Sequence, residues 1–393
     1  MQETLLYFSR EEYAERKTRV HHAMAEQGID LLLATDPSNM AWLTGYDGWS
    51  FYTHQCVILP LGEEPIWFGR EMDAKGALRT VYMSPERILG YPDEYVMSTE
   101  RHPMDYLSAI LRDRHWDHGR VGVEMDNYYF SAACYASLQK NLPDTRFVDA
   151  TVLVNWQRAV KSTQEIAYMR QAARIVESTH ARALAIIEPG MRKNDLIAEI
   201  YHCSITGVDG HGGDYPAIVP LVPTGADASA PHLTWDDRPI PADSGTFLEL
   251  AGCFHRYHCP VSRTIYLGMP PQKWRHAEQA IIEALAAALD AARPGNTCEE
   301  VSIALNKTLS RYGLTKDSRC AYPIGLSYPP DWGERTMSMR AGDHTVLQPG
   351  MTFHLMPGLW FDDWGIEITE SILITEAAAQ CLANIPRKLF VKS

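Results

Sequence analysis

The stretch TFLELAGCFHRYHCPVSRTIYLG, residues 246–268, indicates how the second half of the chain folds. Two apolar runs flank a centre in which Cys253, His255, His258 and Cys259 fall within seven residues. Cysteine and histidine at such short spacing are typical zinc ligands. Side chains alternate between the two faces of a strand, however, so Cys253 and His255 share a face, whereas His258 lies on the other face or in the turn. We therefore predict a hairpin turn here rather than a metal site.

Composition and charge restrict the class of protein. The 393 residues are 46% hydrophobic and 22% charged, which is typical of a globular protein with a sizeable core. The formal net charge of -13 argues against nucleic acid or an anionic membrane as a partner. The N-terminal sequence lacks the apolar core of a signal peptide, and the apolar run AIIEALAAALDAA is too short to span a bilayer. Eight irregularly spaced cysteines without a CxxC pair indicate reduced thiols, so we expect a cytoplasmic protein.

The first 158 residues alternate between helical and strand-like segments. Ser9 and Glu12 form a capping-box pattern that begins a helix, and Gly28 ends it. IDLLLAT, HQCVILPL, PIWFG and RVGVEM indicate strands, and DPSN, residues 36–39, indicates a turn after the first of them. Helical stretches such as MDYLSAILRDR separate these strands. The pattern predicts an α/β N-terminal domain over residues 1–158.

A second capping box, Ser162 to Glu165, begins a long amphipathic helix that ends at Pro189 and Gly190. The sequence then shows two successive units in which two helices precede strands. The first unit includes strands near 217–222 and 245–267, and the second includes strands near 319–327, 351–357 and 365–374. The two units form a weak internal repeat. We assign residues 159–393 to a second, α+β domain.

Five blocks in the same order resemble the creatinase, prolidase and aminopeptidase P family. The blocks are IDLLLATDPSNMAWLTGY at 29–46, RAVKSTQEIAYMRQAA at 158–173, GTFLELAGCFHRYHCPVSRTIYLG at 245–268, LQPGMTFHLMPGLW at 347–360 and GIEITESILITE at 365–376. Together they extend over almost the whole chain. The resemblance implies the N-terminal domain of that family, followed by a C-terminal domain with the α+β pita-bread fold.

Metallopeptidases of this family bind two divalent ions through two Asp, one His and two Glu, and most of these ligands are missing here. The aligned blocks place the five positions at Glu249, Pro260, Tyr322, Met356 and Thr369. Pro and Met side chains supply no hard oxygen ligand, and four of the five positions are lost. We therefore predict that the chain binds no metal and uses no cofactor.

Without metals, protein side chains must activate water or attack the substrate themselves. Creatinase is the metal-free branch of the family, and the block that holds its catalytic histidine corresponds to SAPHLTW, which points to His232. Glu249 is the one carboxylate at a former ligand position, and its apolar neighbours predict burial and a raised pKa unless a cation pairs with it. We predict Glu249 as nucleophile or general base and His232 as proton shuttle. A purely structural role is the alternative for each residue.

Three further segments, YPIGLSYPPDWGER, HLMPGLW and DDWGIE, predict the rest of the pocket. Their aromatic rings and carboxylates suit a delocalised cation, and their arginine suits a substrate carboxylate. The predicted substrate-binding residues are Tyr322, Trp332, Arg335, Trp360, Asp363, Glu367 and, from the N-terminal domain, Tyr52. These segments are similar to metal-free, ring-opening members of the family. That similarity implies a small zwitterionic substrate, the cyclic amidine ectoine or its hydroxylated analogue, opened to an N-acetylated diaminobutyrate.

Other functions fit parts of the same sequence. A creatinase-like hydrolase of another guanidino or amidino compound would differ in its substrate alone. A lyase acting on a charged osmolyte and a dipeptidase are disfavoured, because such relatives use metal ligands that are missing here. A non-catalytic module that binds osmolytes or peptides would need neither Glu249 nor His232.

The family resemblance also implies a homodimer in which the N-terminal domain of one subunit borders the active site of the other. The segment TGYDGWSFYTHQ, with Trp49 and Tyr52, is the predicted contribution, and simple interface packing is the alternative. The acetylated product would need a deacetylase as a functional partner. We expect neither a nucleic acid nor a membrane as a partner.

Overall fold

The computed structural model describes residues 6–393. The chain separates into two compact units, and the division falls between Arg158 and Ala159. None of the described helices is long and apolar enough to cross a membrane. The described part of the N-terminal unit is built around one mixed sheet, whereas the C-terminal unit combines two pairs of helices with mainly antiparallel strands.

The N-terminal sheet has six strands within the described residues. The strands are β1 Leu31–Ala34, β2 Cys56–Pro60, β3 Ile66–Arg70, β4 Ile88–Tyr91, β5 Arg120–Val123 and β6 Arg146–Asp149. The α-helices of this unit are α1 Arg10–Glu26, α2 Pro37–Thr44, α3 Glu71–Thr80, α4 Pro103–Asp113, α5 Ala132–Asn141 and α6 Leu153–Arg158. The strand order is β4-β3-β2-β1-β5-β6; β2 is antiparallel to both of its neighbours, and the other pairs are parallel.

Alternating side chains of this sheet build a hydrophobic core on each of its faces. Leu32 and Ala34 of β1 pack in a cluster with side chains of α1, α2, α3 and α6. Leu31 and Leu33 belong to a second cluster with side chains of α4 and α5. Because successive strand residues face opposite sides, one short apolar strand supplies both cores. The layers of helix, sheet and helix confirm the α/β prediction.

The predicted helix starts are confirmed at α1, but the predicted turn at DPSN was wrong. The Ser9 hydroxyl accepts the N–H of Glu12 at 3.1 Å and caps α1. Asp36 caps α2 in the same way, because its carboxylate accepts the N–H of Ser38 at 2.7 Å. Pro37 fits the first helical position, where its missing N–H costs nothing. The residues that indicated a turn therefore begin a helix.

The C-terminal unit repeats the order of two helices followed by strands. Its α-helices are α7 Thr163–Ile186, α8 Lys193–Thr206, α9 Gln272–Ala291 and α10 Cys298–Ser310. Its strands are β7 Ser244–Phe254, β8 Tyr257–Leu267, β9 Ala321–Pro323, β10 Thr352–Leu355, β11 Leu359–Trp360, β12 Gly365–Ile366, β13 Glu370–Ile374, β14 Ala379–Cys381 and β15 Phe390–Lys392. They pair in the orders β14-β13-β10-β9, β15-β8-β7 and β11-β12. The strand predicted near 217–222 was wrong, since only an isolated bridge to Glu249 forms there, at Leu221.

Strands β7 and β8 form the hairpin predicted from the sequence. They pair antiparallel from Ser244↔Leu267 to Phe254↔Tyr257. His255 and Arg256 make the two-residue turn, and their φ angles of 49° and 66° are both positive. Two positive φ angles define the type I′ turn, whose twist matches that of the flanking strands.

Helices pack closely behind these strands. α7 lies against β7 and β8, and a Cβ at Gly252 of β7 would stand 1.9 Å from the carbonyl oxygen of Ala172 in α7. Only glycine permits this approach of helix and strand. α9 and α10 cover the second half, where Ala277 and Ile281 join a core with Phe353 and Ile372. The helices therefore cover one side of the strands, and the fold is α+β as predicted.

Candidate active site

Glu249 lies at the middle of β7, fixed on both sides by backbone hydrogen bonds. It pairs with Ser262 across the hairpin, and on its other side it exchanges two hydrogen bonds with Leu221, at 3.0 and 3.1 Å. The residue is only 7% exposed. Within residues 6–393, its carboxylate oxygens neither accept a hydrogen bond nor enter an ion pair. The backbone thus holds rigidly a carboxylate that is left available for a ligand.

A second carboxylate, Glu367, is held just beyond β12. The hydroxyl of Thr264 on β8 accepts the N–H of Glu367 and donates to its carbonyl, both at 2.8 Å. The side chain is 2% exposed, and its Oε2 atom is buried without a well-aligned hydrogen bond in the described part of the chain, although the Ser262 hydroxyl is near enough to affect the pKa of the carboxyl. A buried oxygen that lacks a donor is costly in an empty site and is satisfied when a ligand donates to it.

The two carboxylates influence each other's charge. Burial raises the pKa of Glu249 well above its usual value, and the nearby charge of Glu367 raises this pKa further. Burial raises the pKa of Glu367 to about 7, although the Ser262 hydroxyl and the Lys316 ammonium oppose this increase. Two buried acids at close range cannot both ionise easily without a cation between them. The pair therefore favours a cationic ligand.

Lys316 is a buried cation whose charge acts on the Glu367 carboxylate. Its ammonium donates to the Ser318 hydroxyl at 3.0 Å and to the Gly358 carbonyl at 3.3 Å, and it lies 4.6 Å from the centre of the Trp360 ring. Burial lowers the pKa of Lys316, and the Glu367 charge raises it. The lysine lines a cavity of about 450 Å³ that also borders Gly358 and Trp360. One lysine offsets one of the two carboxylates, so a second positive charge can still be accommodated.

A chain of hydrogen bonds occupies three strands beside this pair. The Tyr322 hydroxyl accepts the indole N–H of Trp332 at 2.7 Å and lies 2.8 Å from Nδ1 of His354. Nε2 of His354 lies 2.7 Å from the Thr369 hydroxyl, which also accepts the N–H of Ser262 at 2.7 Å. Tyr322 on β9 and His354 on β10 are register partners, so the sheet itself sets their distance.

This series of hydrogen bonds is electrostatically coupled to Glu249. Burial raises the pKa of Tyr322 well above its usual value, and the charge of Glu249 raises it further. Burial lowers the pKa of His354 to about 3, and the guanidinium of Arg263 adds to this effect. The imidazole is therefore neutral at physiological pH, with one nitrogen as donor and the other as acceptor.

The structure brings together Glu249, Glu367, Tyr322, Trp332 and Trp360 from the residues predicted to form the site. Trp332 is fully buried, and its N–H is used by Tyr322. A Cβ at Gly358 would contact both the Trp360 ring, at 2.6 Å, and a Glu367 oxygen, at 3.1 Å, so this ring and this carboxylate are neighbours. Trp332 thus donates to Tyr322, whereas the Trp360 ring lies beside Glu367 and Lys316, and the substrate-binding roles of both tryptophans stay predictions.

Other predicted residues lie outside this group. Asp363 is 74% exposed in the turn between β11 and β12, where it pairs with Lys273 at 3.6 Å. Arg335 is half-buried, with a φ angle of 60°, in the segment after Trp332. Tyr52 is 58% exposed in the N-terminal unit. The substrate-binding roles of Asp363, Arg335 and Tyr52 stay predictions.

His232 is exposed on a loop that starts beside the site. A 3-10 turn, Gly225–Ser229, precedes it and packs against β7 and β12. A Cβ at Gly365 of β12 would lie 2.1 Å from the carbonyl oxygen of Ala228, so the approach is close. The loop therefore leaves from the strands that hold the two carboxylates, and the catalytic role of His232 stays a prediction.

The family's metal-ligand positions do not fit a two-metal centre in this chain. Tyr322 and Thr369 are both engaged with His354, and Pro260 offers only a backbone carbonyl, which accepts the Ser371 hydroxyl at 2.6 Å. Met356 supplies a soft sulfur where a hard cation needs oxygen. Glu249 alone keeps a carboxylate. This donor set cannot hold two divalent ions.

One other group within residues 6–393, formed by His54, His102 and Cys134, has the spacing to hold a metal ion. His102 Nδ1, however, accepts the N–H of Met104 at 3.1 Å and caps α4. A neutral imidazole whose Nδ1 accepts carries its proton on Nε2, the atom that faces the Cys134 sulfur at 4.0 Å. A metal could bind Nε2 only if the helix cap were given up. We interpret the group as a hydrogen-bonded cluster.

The Cys/His sequence at the hairpin does not converge on one point. His258 Nε2 accepts the N–H of Ala217 at 2.9 Å, and burial lowers the pKa of His258 to about 3. Cys253 and Cys259 are both buried, whereas His255 lies in the turn. These residues serve the hairpin and its packing.

Lys316 and His354 were not predicted from the sequence. His354 lies on β10, two residues before Met356, the position that aligned with a former ligand, and this proximity in sequence was a usable signal. Lys316 follows the short segment GLT, which shows no pattern that indicates burial of the lysine. Only the tertiary structure places its ammonium beside Glu367.

Comparisons with known proteins identify the family of this chain. Residues 167–376 match the model of metallopeptidase family M24, and residues 16–160 match that of the creatinase/prolidase N-terminal domain. The chain belongs to metallopeptidase family M24, with the N-terminal domain of creatinases and prolidases.

Among curated relatives, the chain is similar to ectoine hydrolase of Halomonas elongata, with 58% identity over 98% of this chain and 99% of that protein. Among solved structures, dipeptidase PepE of Mycobacterium ulcerans superposes with a TM-score of 0.81 at 22% identity, covering 98% and 99% of the two chains. Prolidase of Thermococcus sibiricus gives 0.83 at 17% identity, covering 96% and 99%. These structures confirm the predicted pita-bread fold.

Proposed function

We propose that this protein hydrolyses the cyclic amidine ring of ectoine, and of hydroxyectoine, to an N-acetylated diaminobutyrate. The observation that carries the proposal is the buried pair Glu249 and Glu367, which has one lysine beside it and accommodates a second cation. An amidinium is a flat, delocalised cation with N–H donors, and it would satisfy the unpartnered Glu367 oxygen. The 58% identity to a protein named ectoine hydrolase supports this choice of substrate.

We propose that the reaction needs no metal. The donor set at the former ligand positions supports this, since it retains one carboxylate of five ligands. A metal would normally generate hydroxide from bound water, so another nucleophile is required. Glu249 is fixed by its strand and free of hydrogen bonds to its carboxylate within residues 6–393. Its oxygen would attack the amidinium carbon C2 and form a covalent intermediate that water then hydrolyses.

The alternative role for Glu249 is that of general base, which deprotonates a water that attacks C2. Intact-mass measurements distinguish the two roles. If Glu249 attacks directly, protein quenched during turnover carries the mass of the bound substrate on the peptide that contains Glu249, and Glu249→Gln carries none. If Glu249 is a base, neither protein gains mass.

Other predicted residues would complete the site. Trp360 and Glu367 would hold the amidinium, through a cation–π contact and an ion pair. Arg335 would bind the substrate carboxylate, and Asp363 would have to move from the exposed turn to take part. His232 would relay a proton between solvent and the departing ring nitrogen, and its exposed loop beside β7 supports a group that exchanges with solvent.

We further propose a cytoplasmic homodimer in which Tyr52, with Trp49, borders the partner's site. Both aromatic side chains are 58% exposed, which supports an interface role. The eight free cysteines support a reducing compartment. The acetylated product would be consumed by an amide hydrolase, a deacetylase.

A substrate panel tests the proposal. Purified protein is incubated with ectoine, creatine or a Xaa-Pro dipeptide, and the products are separated by chromatography. We expect ring opening of ectoine to a single product that carries one new amino group. Turnover of creatine instead would favour a creatinase-like hydrolase, and dipeptide cleavage would overturn the argument from the ligand positions. Binding of ectoine without turnover would indicate a non-catalytic module.

A further inference from the structure

We infer that Tyr322 is a catalytic residue that delivers the first proton to the ring nitrogen leaving C2, and that His354 is its positioning residue. This inference rests on the proposed function. It assigns a proton donor inside the site, where His232 on its exposed loop would exchange protons with solvent.

The hydrogen bonds around Tyr322 leave its own proton free for the site in one of two arrangements. Trp332 Nε1 and the Ser262 amide can only donate, so the Tyr322 and Thr369 oxygens accept from them. If Thr369 donates to Nε2 of His354, the proton of His354 is on Nδ1 and is donated to Tyr322. The Tyr322 hydroxyl then receives two hydrogen bonds, and its proton points elsewhere.

In the second arrangement all the hydrogen bonds among Tyr322, His354 and Thr369 run in the opposite direction. Tyr322 then donates to Nδ1 of His354, and His354 donates from Nε2 to Thr369. Both distances, 2.8 and 2.7 Å, suit either direction of donation. A neutral imidazole is needed in both cases, and burial keeps His354 neutral. The same two donors, Trp332 and His354, would stabilise the phenolate after Tyr322 has lost its proton.

Covalent attack by Glu249 would prepare Tyr322 for this transfer. The negative charge of Glu249 opposes ionisation of Tyr322 in the free protein. When the Glu249 oxygen forms a bond to C2, that charge is lost, and the phenol becomes more acidic as the ring nitrogen needs a proton. Because Tyr322 lies within the field of Glu249, its acidity would rise at the moment when Glu249 loses its charge.

The proton and electron count closes over the whole reaction. Attack of the Glu249 carboxylate on the amidinium gives a neutral adduct at C2. Tyr322 then transfers its proton to the ring nitrogen, and the C–N bond breaks. This step leaves a phenolate on Tyr322 and a cationic imidate bound to Glu249. Water adds to C2 and returns a proton to Tyr322. Collapse of this adduct forms the amide and releases Glu249 in its protonated form. His232 would carry that last proton to the freed amine, so that amidinium and water become amide and ammonium.

The test compares Tyr322→Phe with wild-type protein, using ectoine as substrate. We expect kcat to fall by about 10²–10⁴-fold, the usual contribution of a general acid, while KM changes by less than about 3-fold. Tyr266→Phe is the matched control, because Tyr266 is a buried tyrosine whose hydroxyl donates to the Asp243 carbonyl and takes no part in the hydrogen bonds around Tyr322. Thermal unfolding of both variants checks that the fold is kept.

A second pair of variants tests the role of His354. Asparagine at this position can place an amide N–H near the site of Nδ1, whereas leucine cannot. We therefore expect His354→Asn to recover kcat relative to His354→Leu, by about 10-fold or more. A merely structural histidine would be replaced by either residue without such a difference in kcat.

The outcomes separate the two proposals. If wild-type protein opens the ectoine ring and Tyr322→Phe retains kcat within about 3-fold, the inference about Tyr322 is wrong and the proposed function stands. If the wild-type protein does not turn over ectoine, the proposed function fails, and this inference fails with it.

Discussion

Glu249 and Glu367 are acids that the fold buries almost completely. Neither could be buried cheaply as an anion, so their protonation responds to any cation that enters the site. The sequence predicted the burial of Glu249, because Leu248, Leu250 and Phe247 surround it. The coupling to Glu367 depends on how β8 lies beside the segment after β12, which no local pattern specifies.

The raised pKa values of both carboxylates predict a pH dependence of activity. Ionised Glu249 is the reactive form, and its pKa is raised well above the usual value, so kcat/KM for ectoine should rise with pH through the neutral range and then level off. In the complex the bound amidinium stabilises both anions, so the acid limb of kcat should lie at lower pH than that of kcat/KM.

Steady-state profiles from about pH 5 to about pH 9 measure both limbs. Glu188→Gln, at an exposed position, is the control variant and should reproduce the wild-type profile. A kcat/KM that stays flat over this range would contradict an ionised, buried carboxylate as the reactive group.

Among the elements, β8 and β13 depend on one buried ion pair. The Arg263 guanidinium donates to the Glu370 carboxylate at 2.7 Å and to the carbonyl oxygens of Ile385 and Pro386 at 2.7 and 3.0 Å. Both charged side chains are at most 1% exposed. The pair therefore fixes the end of the chain against the strands that position Glu367 and Thr369.

Replacing Arg263 by Met should reduce the free energy of unfolding by about 3–5 kcal/mol, because Glu370 would be left buried with only Arg387 beside it. Urea unfolding measures this loss. The matched control is Arg182→Met, whose pair with Glu199 at 2.7 Å is exposed and should contribute less than about 1 kcal/mol. Equal losses for the two variants would show that burial does not decide the cost.

Much of the element structure could be predicted from the sequence. Capping boxes located the starts of α7 and of the N-terminal helix, and strand alternation identified the β7–β8 hairpin. The turn predicted at DPSN was wrong because Asp, Pro and Ser favour both turns and helix starts. The side-chain oxygen of Asp or Ser can accept a backbone N–H at either place, and proline has no N–H that would need a partner in the first helical turn. The strand expected near 217–222 failed because its hydrogen bonds are limited to an isolated bridge.

On the scale of the whole molecule, burial of the two carboxylates lowers the free energy of unfolding of the ligand-free protein. In the folded protein the pKa values of Glu249 and Glu367 lie above the usual value of 4.5. At a pH between 4.5 and these raised pKa values, the native protein therefore binds more protons than the unfolded chain. Stability should then fall as pH rises above about 4.5 and through about 7. The opposite applies to His180, His258 and His354, whose lowered pKa values cost stability as pH falls below 6.5.

Glu367→Gln isolates the carboxylate contribution. It should stabilise the ligand-free protein by about 1–3 kcal/mol at about pH 8 and by much less at about pH 5, where wild-type Glu367 is already protonated. Denaturant unfolding at the two pH values gives the difference. If the variant changes stability equally at both, the carboxylate does not carry the pH dependence.

The central claim is that a buried carboxylate, without a metal ion, opens the ring. The most direct test treats the purified protein with a chelator, verifies by elemental analysis that metal is far below one equivalent, and measures ectoine ring opening before and after divalent metal is added. We predict an unchanged rate in the wild-type protein and no detectable rate in Glu249→Gln under either condition. Activity that is lost on chelation and restored by metal would contradict the account.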